Sequence, residues 1–464
     1  MADHRDGADA RRGAMRVMLL QGPPSPFARE LGAALAARGH HVTRVLLSFG
    51  DWLFGRGAGA VLWRGRFEEW ETWVEARMRA EGITHLVYYA DRQPHHVAAQ
   101  RAARRLGVRC VSYENGYLRP DWILVEEGGQ GAFSHFPADL ALVKRLAAGL
   151  PEPEMQRRYG HGFASEAVAE VACHLGNWLF APVFPGFRAD RAVNPVLEYL
   201  SYLPRHVQAW RGAGAADRAV ARLIAEGRRF HLIALQMAGD YQIRANSGYA
   251  DLRDFLAEVI ASHARHGPAE GLLVVKRHPM DNGRINWPRV VARMARRAGV
   301  ADRVLFLDGG DLGLLLRHAA GCVVVNSTVG LHALQAGCPV LCRGIAVYGM
   351  AGLTHQGGLD GFWTAPERPD PDGVAALVRL MAAAIHVRGD FLAPEGRRAA
   401  VTAMVARLEA GLARPFGAFV PVPPRLMQAR AAGIPIAPWE ANHPMGGGSG
   451  GLVKGVAAQV GRGM

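Results

Sequence analysis

The chain has 464 residues, half apolar and a fifth charged, a length and balance that fit two globular domains better than one core. No stretch reaches the roughly 18–20 uninterrupted apolar residues of a membrane span, and the charged start over 1–14 reads as a disordered tail, neither signal peptide nor anchor, which makes the cytoplasm the expected compartment. The formal net charge of +13 is nearly all arginine, scattered through helices and not forming a basic run with interleaved aromatics, so nucleic acid is not an expected partner; a compositional bias or attraction to anionic headgroups and nucleotide phosphates remains.

From residue 15 the first half alternates strands and helices. Segment 16–21 reads as a strand ending in Gly22-Pro23-Pro24, and 27–38 as a helix closed by Gly39. A strand at 41–47, a helix at 67–80 and a strand at 84–89 follow. A helix at 97–106 and a strand at 108–113 complete the series, running directly into Glu114-Asn115-Gly116. This rhythm implies a parallel sheet with helices on both faces. Between 151 and 211 prolines and aromatics predict irregular structure. The rhythm returns with strands at 230–235, 272–276, 304–307, 322–325 and 339–342, and helices at 252–263, 287–298, 312–319 and 331–336. The expected fold class is α/β, GT-B-like: an N-terminal Rossmann-like unit over 15–205 and a second one over 206–415 with a closing helix, facing a central cleft. An irregular or disordered tail is expected over 416–464. The five cysteines, Cys110, Cys173, Cys322, Cys338 and Cys342, are odd in number and mostly in apolar segments, so structural thiols are expected.

Ligands of open parallel sheets sit beyond the carboxyl ends of the strands, which singles out the polar residues just after each strand. His278 follows a buried-type strand with Lys276 and Arg277 before it and Pro279 after it. The imidazole can face a phosphate or serve structure alone. Asn326-Ser327-Thr328-Val329-Gly330 closes one strand and opens a helix, a place suited to N-capping, to anion binding, or to both. Asp240, after the strand 230–235, is either a loop aspartate bonded to nearby amides or a carboxylate able to attack an anomeric carbon. Arg244 either pairs with Asp240 or binds an acidic sugar's carboxylate. Glu114 is expected across the cleft from Asp240 as a general base, or else in a loop salt bridge with Arg119. No dense carboxylate cluster indicates a metal.

Several of these stretches together resemble the KpsS/LipB capsule polysaccharide proteins. They are Leu20-Gln21-Gly22-Pro23, the segment 112–122 around Glu114, Asp240-Tyr241-Gln242-Ile243-Arg244, Lys276-Arg277-His278-Pro279, Asn326-Ser327-Thr328-Val329-Gly330 and Thr354-His355-Gln356-Gly357. The resemblance implies a β-Kdo transferase that uses CMP-Kdo, with no cofactor, and places Kdo, an eight-carbon acidic sugar, on a phosphatidylglycerol-type lipid. It also implies peripheral contact with the inner membrane, expected through residues such as those over 63–73, and work beside a KpsC-like transferase and the capsule export complex. In CMP-sugar transferases a His-Pro and a Ser/Thr motif bind the cytidine phosphate, matching His278-Pro279 and Ser327-Thr328. KpsC-like retaining enzymes carry a Gln followed four residues later by a nucleophilic Asp, a spacing kept by Gln236 and Asp240. Where those enzymes have Glu-Asp-Gly-Phe, this chain has Glu114-Asn115-Gly116-Tyr117. A non-catalytic export component, or a transferase or epimerase using another nucleotide sugar, stays compatible with the same fold.

Overall fold

A computed structural model describes residues 13–160, 163–189, 194–411, 417–434, 436–437 and 440. The tails expected to be disordered, before 13 and after 440, lie outside the described residues. The first unit runs β1 (Arg16–Leu19), α1 (Phe27–Ala37), β2 (His41–Leu46), α2 (Phe49–Gly55), β3 (Ala60–Leu62) and α3 (Phe67–Ala80). It continues with β4 (His85–Tyr89), α4 (Pro94–Arg105), β5 (Arg109–Asn115), β6 (Trp122–Glu127) and α5 (Leu140–Ala147). Local chemistry sets these bounds. In α1, Phe27, Leu31 and Leu35 recur every fourth residue and form one buried stripe, and Gly39 takes a positive φ of 85° just past the helix end. Ser48 caps α2 by accepting the Asp51 N–H, and α4 opens with Pro94, whose missing N–H costs nothing in a first turn.

Two long helices follow, α6 (Phe163–Leu179) and α7 (Pro195–Ala225), where the prolines predicted irregular structure. Pro195 sits in the first turn of α7, where proline is tolerated, with Asn194 as its cap. The second unit holds β7 (Phe230–Ala234), α8 (Tyr241–Asn246), α9 (Leu252–His266), β8 (Leu272–Lys276), α10 (Trp287–Arg297) and β9 (Val304–Leu307). It then adds α11 (Leu312–His318), β10 (Gly321–Val324), α12 (Val329–Gln335), β11 (Val340–Cys342), α13 (Gly358–Phe362) and α14 (Pro371–Ala384). Among the described residues the last elements are β12 (His386–Arg388), α15 (Pro394–Ala410) and α16 (Leu426–Ala431).

The second sheet has the order β11-β10-β7-β8-β9, all parallel, with its switch point between β7 and β10. The first has β12-β6-β5-β4-β1-β2-β3; its five parallel strands repeat that order, with the switch point between β1 and β4. β6 and β12 extend it antiparallel. Two Rossmann-like units of this kind make the molecule GT-B-like. Helices cover both faces of each sheet: α1 and α15 bury one apolar cluster against the first, and α3 and α4 another.

Three further expectations change. Residues 386–410, read with the second unit, belong to the first: β12 pairs with β6, and α15 packs on α1. Within the expected tail, Arg425 is buried, its guanidinium donating to the carbonyls of Phe136 (2.7 Å), Pro137 (3.0 Å) and Val347, so part of that segment is tied into the body. Of the tryptophans over 63–73, Trp63 and Trp70 are core, not a membrane face, and Trp73 is half-buried against them. Trp63 and Trp70 are 5% and 0% exposed, and the Trp70 indole N–H donates to His95 O at 2.8 Å. None of the cysteines is in a disulfide, and burial pushes the thiols of Cys110, Cys173, Cys338 and Cys342 up to about 12, which leaves them inert. Because Trp70 fills the middle of its cluster, Trp70→Ala should cost about 3–5 kcal/mol, read as a lower urea midpoint with an unchanged slope.

Candidate functional site

A cleft of about 1380 Å³ lies between the two sheets. A single small-molecule site spans about 300–1,000 Å³, so this one has room for two substrates. Its walls come from the switch points. Gln21 and Gly22 follow β1, Tyr89 ends β4, Gln236 to Gln242 follow β7, and Asn326 to Thr328 follow β10. Glu114 enters from the end of β5 and His278 from the end of β8. The strand β5 runs two residues beyond its predicted end because β6 pairs with Glu114 and Asn115, opposite Leu124 and Ile123.

Asp240 is the cap of α8, its Oδ1 accepting the Gln242 N–H at 2.9 Å. Its Oδ2 accepts from the Gln236 side-chain amide at 3.2 Å. The spacing of four between Gln236 and Asp240 therefore has a direct physical meaning: the amide orients the carboxylate. Gln236 also donates to Asn326 Oδ1 at 3.0 Å, and Asn326 Nδ2 donates to the Gln242 carbonyl at 2.8 Å. One network thus joins the ends of β7 and β10 beneath Asp240.

Glu114 belongs to the other unit but is bound into the same network. The Tyr241 hydroxyl donates to Glu114 Oε2 at 2.5 Å, and the Gln242 amide reaches Tyr241 Oη at 2.7 Å and Glu114 Oε2 at 3.4 Å. Arg119 instead donates to Gly116 O at 3.2 Å. Desolvation raises the Glu114 carboxyl to about 7; the Tyr241 hydrogen bond and the Arg119 charge oppose the rise, and Asp91 and Asp240 add to it. A carboxyl poised near neutrality can take a proton at physiological pH. Burial, the larger effect, lowers His278, while the Asp240 carboxylate opposes it. Its Nδ1 accepts the Met280 N–H at 3.1 Å, so the neutral ring carries its proton on Nε2.

Ser327 and Thr328 also line the cleft. Thr328 is the N-cap residue of α12 without a side-chain cap bond, while Ser327 Oγ accepts the Val329 N–H at 3.2 Å. Arg244 lines the cleft and is exposed. Other expected residues are placed elsewhere. Arg277 is buried and donates to Asp308 at 2.9 Å, as does Arg205 of α7 at 2.6 Å, so its charge serves to fasten α7 to the second sheet. Lys276 is buried at the end of β8, where desolvation lowers its pKa, and neither it nor Pro279 lines the cleft. Gly330 lies behind the wall: a Cβ there would come within 2.3 Å of Tyr348 Oη, whose hydroxyl donates to the Ser327 carbonyl.

Sequence reasoning gave no role to Tyr241, Gln242 or Asn246. The first two stand inside a quoted motif, which was the available signal. Asn246 is buried, accepts the Ala132 N–H at 2.8 Å and donates to Gln242 Oε1 at 2.6 Å.

Comparison with known proteins gives the following. The family model described as "Capsule polysaccharide biosynthesis protein" matches residues 84–392. The chain is 31% identical over 363 residues to the capsule polysaccharide export protein KpsS of Escherichia coli, covering 76% of this chain and 91% of that one. It is 28% identical over 395 residues to the capsule polysaccharide modification protein LipB of Neisseria meningitidis serogroup A, covering 82% and 92%. Among solved structures, the KpsC beta Kdo 2,7 transferase of Thermosulfurimonas dismutans superposes with a TM-score of 0.44 at 14% identity, covering 85% and 99%.

Since the Tyr241 hydroxyl favours the ionised form of Glu114, Tyr241→Phe should move the Glu114 titration upward from about 7. Carbon-13 NMR of glutamate-labelled protein reads that shift, and an unmoved titration contradicts the assigned contact.

Proposed function

The chain belongs to the capsule polysaccharide biosynthesis protein family, among the relatives of KpsS and LipB, and from that membership and the cleft chemistry we propose that it is a retaining glycosyltransferase. Its donor is CMP-Kdo and its acceptor a phosphatidylglycerol-type lipid at the inner-membrane surface, so that the product starts the capsule linker. A KpsC-like transferase and the capsule export complex are its natural partners in this reading. The observation that carries it is the pair of carboxylates, Asp240 and Glu114, brought from different units to one cleft and joined through Tyr241 and Gln242.

The proposed reaction has two displacements. In the first, a carboxylate oxygen of Asp240 forms a bond to the anomeric carbon as the bond to the CMP phosphate breaks, the electron pair leaving with the phosphate. The Nε2–H of His278 and the hydroxyls of Ser327 and Thr328 stabilise the charge on the departing group. In the second, the acceptor hydroxyl attacks the same carbon, Glu114 takes its proton, and the Asp240 carboxylate leaves. Two inversions give net retention. Arg244, which lines the cleft, is the cation assigned to the sugar carboxylate.

Purified protein with CMP-Kdo and short-chain phosphatidylglycerol should give a Kdo-lipid detectable by mass spectrometry. Asp240→Asn should abolish it, and Glu114→Gln should slow it by about 10²–10⁴-fold. In the wild type kcat/KM should rise as pH passes through about 7, where Glu114 ionises. Product formation that survives Asp240→Asn defeats the covalent route. An absence of CMP binding would restore the export-component reading, and a preference for UMP over CMP the alternative donor.

A further inference from the structure

Large apolar side chains on a protein surface are unremarkable when scattered, and informative when grouped. At the end of α6, Trp178 is 51% exposed, Leu179 64% and Phe180 38%. Phe180 stacks on Phe49 at 4.4 Å, and Phe49 lies 5.5 Å from Trp52, which is itself exposed. The two elements are tied together, since the Gly50 N–H donates to Asn177 Oδ1 at 2.7 Å. Val168 is also exposed, and its spacing of eleven residues from Leu179 puts both on the same side of α6. Cations stand among these groups. The Arg56 guanidinium lies 4.8 Å from the Trp52 ring centroid, and Arg64 donates to Val183 O at 2.9 Å, three residues past Phe180.

We propose that this face, formed by α2 and the end of α6, docks on an anionic lipid bilayer and holds the mouth of the cleft at headgroup level. Tryptophan, phenylalanine and leucine interleaved with arginine is the chemistry of an interfacial anchor: rings and aliphatic side chains enter the acyl boundary while guanidinium groups meet phosphates. Among the described residues no helix is long and apolar enough to cross a membrane, so the contact is one of docking. The same surface runs into the cleft, because Trp178, Ala181 and Phe184 line it. A lipid-borne acceptor then reaches Glu114 without leaving the bilayer, a benefit that rests on the transferase reading. A second copy of the chain fits worse, since a two-fold pairing would set one arginine-bearing face against another of the same charge.

Sedimentation with phosphatidylcholine vesicles, with and without phosphatidylglycerol, reads the docking without any donor. Wild-type protein should sediment with the anionic vesicles, and Trp52→Ser/Leu179→Ser and Arg56→Glu/Arg64→Glu should each bind about tenfold more weakly or worse. Circular dichroism melts verify that both variants fold. Transfer to a short-chain soluble acceptor should match wild type in both, while transfer to a long-chain acceptor in vesicles should fall. Variants that sediment like wild type, or wild type that ignores anionic vesicles, overturn the proposal. So does a dimeric wild type that becomes monomeric in the variants. Patch-dependent sedimentation without sugar transfer to any acceptor would leave the docking face standing and remove the transferase reading.

Discussion

The site depends on one buried amide. Asn246 ends α8, and its side chain reaches in two directions, to the Ala132 N–H of the first unit and to Gln242 of its own helix. Gly131 takes a positive φ of 57° beside it, and a Cβ on that glycine would come within 2.4 Å of Asn246 Oδ1. The approach is therefore close enough to need glycine. A six-residue helix has little stability of its own. Fastened at Asn246, α8 presents Asp240 as its cap at one end and Tyr241 and Gln242 to Glu114 along the way. The Asn246 carbonyl also accepts the Ile345 N–H at 2.7 Å, which ties the same helix to the chain after β11.

Around this helix the charged groups divide by what they meet. Arg205 and Arg277 converge on Asp308, and Arg425 on three carbonyls, so these buried cations are spent on holding segments together. Burying a cation is tolerable only with such partners. At the cleft the balance runs the other way. For Glu114 desolvation outweighs a short hydrogen bond and a nearby arginine, and its carboxyl is left near neutrality. An arginine-rich composition thus says little about function until each guanidinium is followed to its partner.

Much of the fold was legible because apolar runs and punctuation residues act locally. The strands β8 and β9 and the helix α3 match their predicted bounds, and the strand ends pointed to the right walls of the cleft. What local pattern could not give was pairing between distant segments. β6 and β12 are strands whose register is set by each other and by β5. The helices α6 and α7 were hidden because their prolines and aromatics read as breakers, though Pro195 lies in a first turn. For the site, Gln236, Asp240, His278 and Ser327 reach the cleft as the sequence implied. Lys276, Arg277 and Gly330 sit in the same motifs but outside the cleft lining, Arg277 held by Asp308 and Gly330 packed against Tyr348, a difference set by burial and packing that residue order does not encode.

The return of the chain to its first sheet has a consequence for how the protein is made. β6 lies between β5 and β12, and α15 covers the face next to α1, so the first unit is completed only by residues 386–410. During synthesis the ribosome delivers the entire second unit before that strand arrives. Until then β6 is an open edge, with unpaired backbone groups able to recruit a foreign strand. The nascent chain must therefore shelter a half-finished sheet while a complete one forms behind it, and the arrival of residues 386–410, more than any step in its first two hundred residues, closes the molecule.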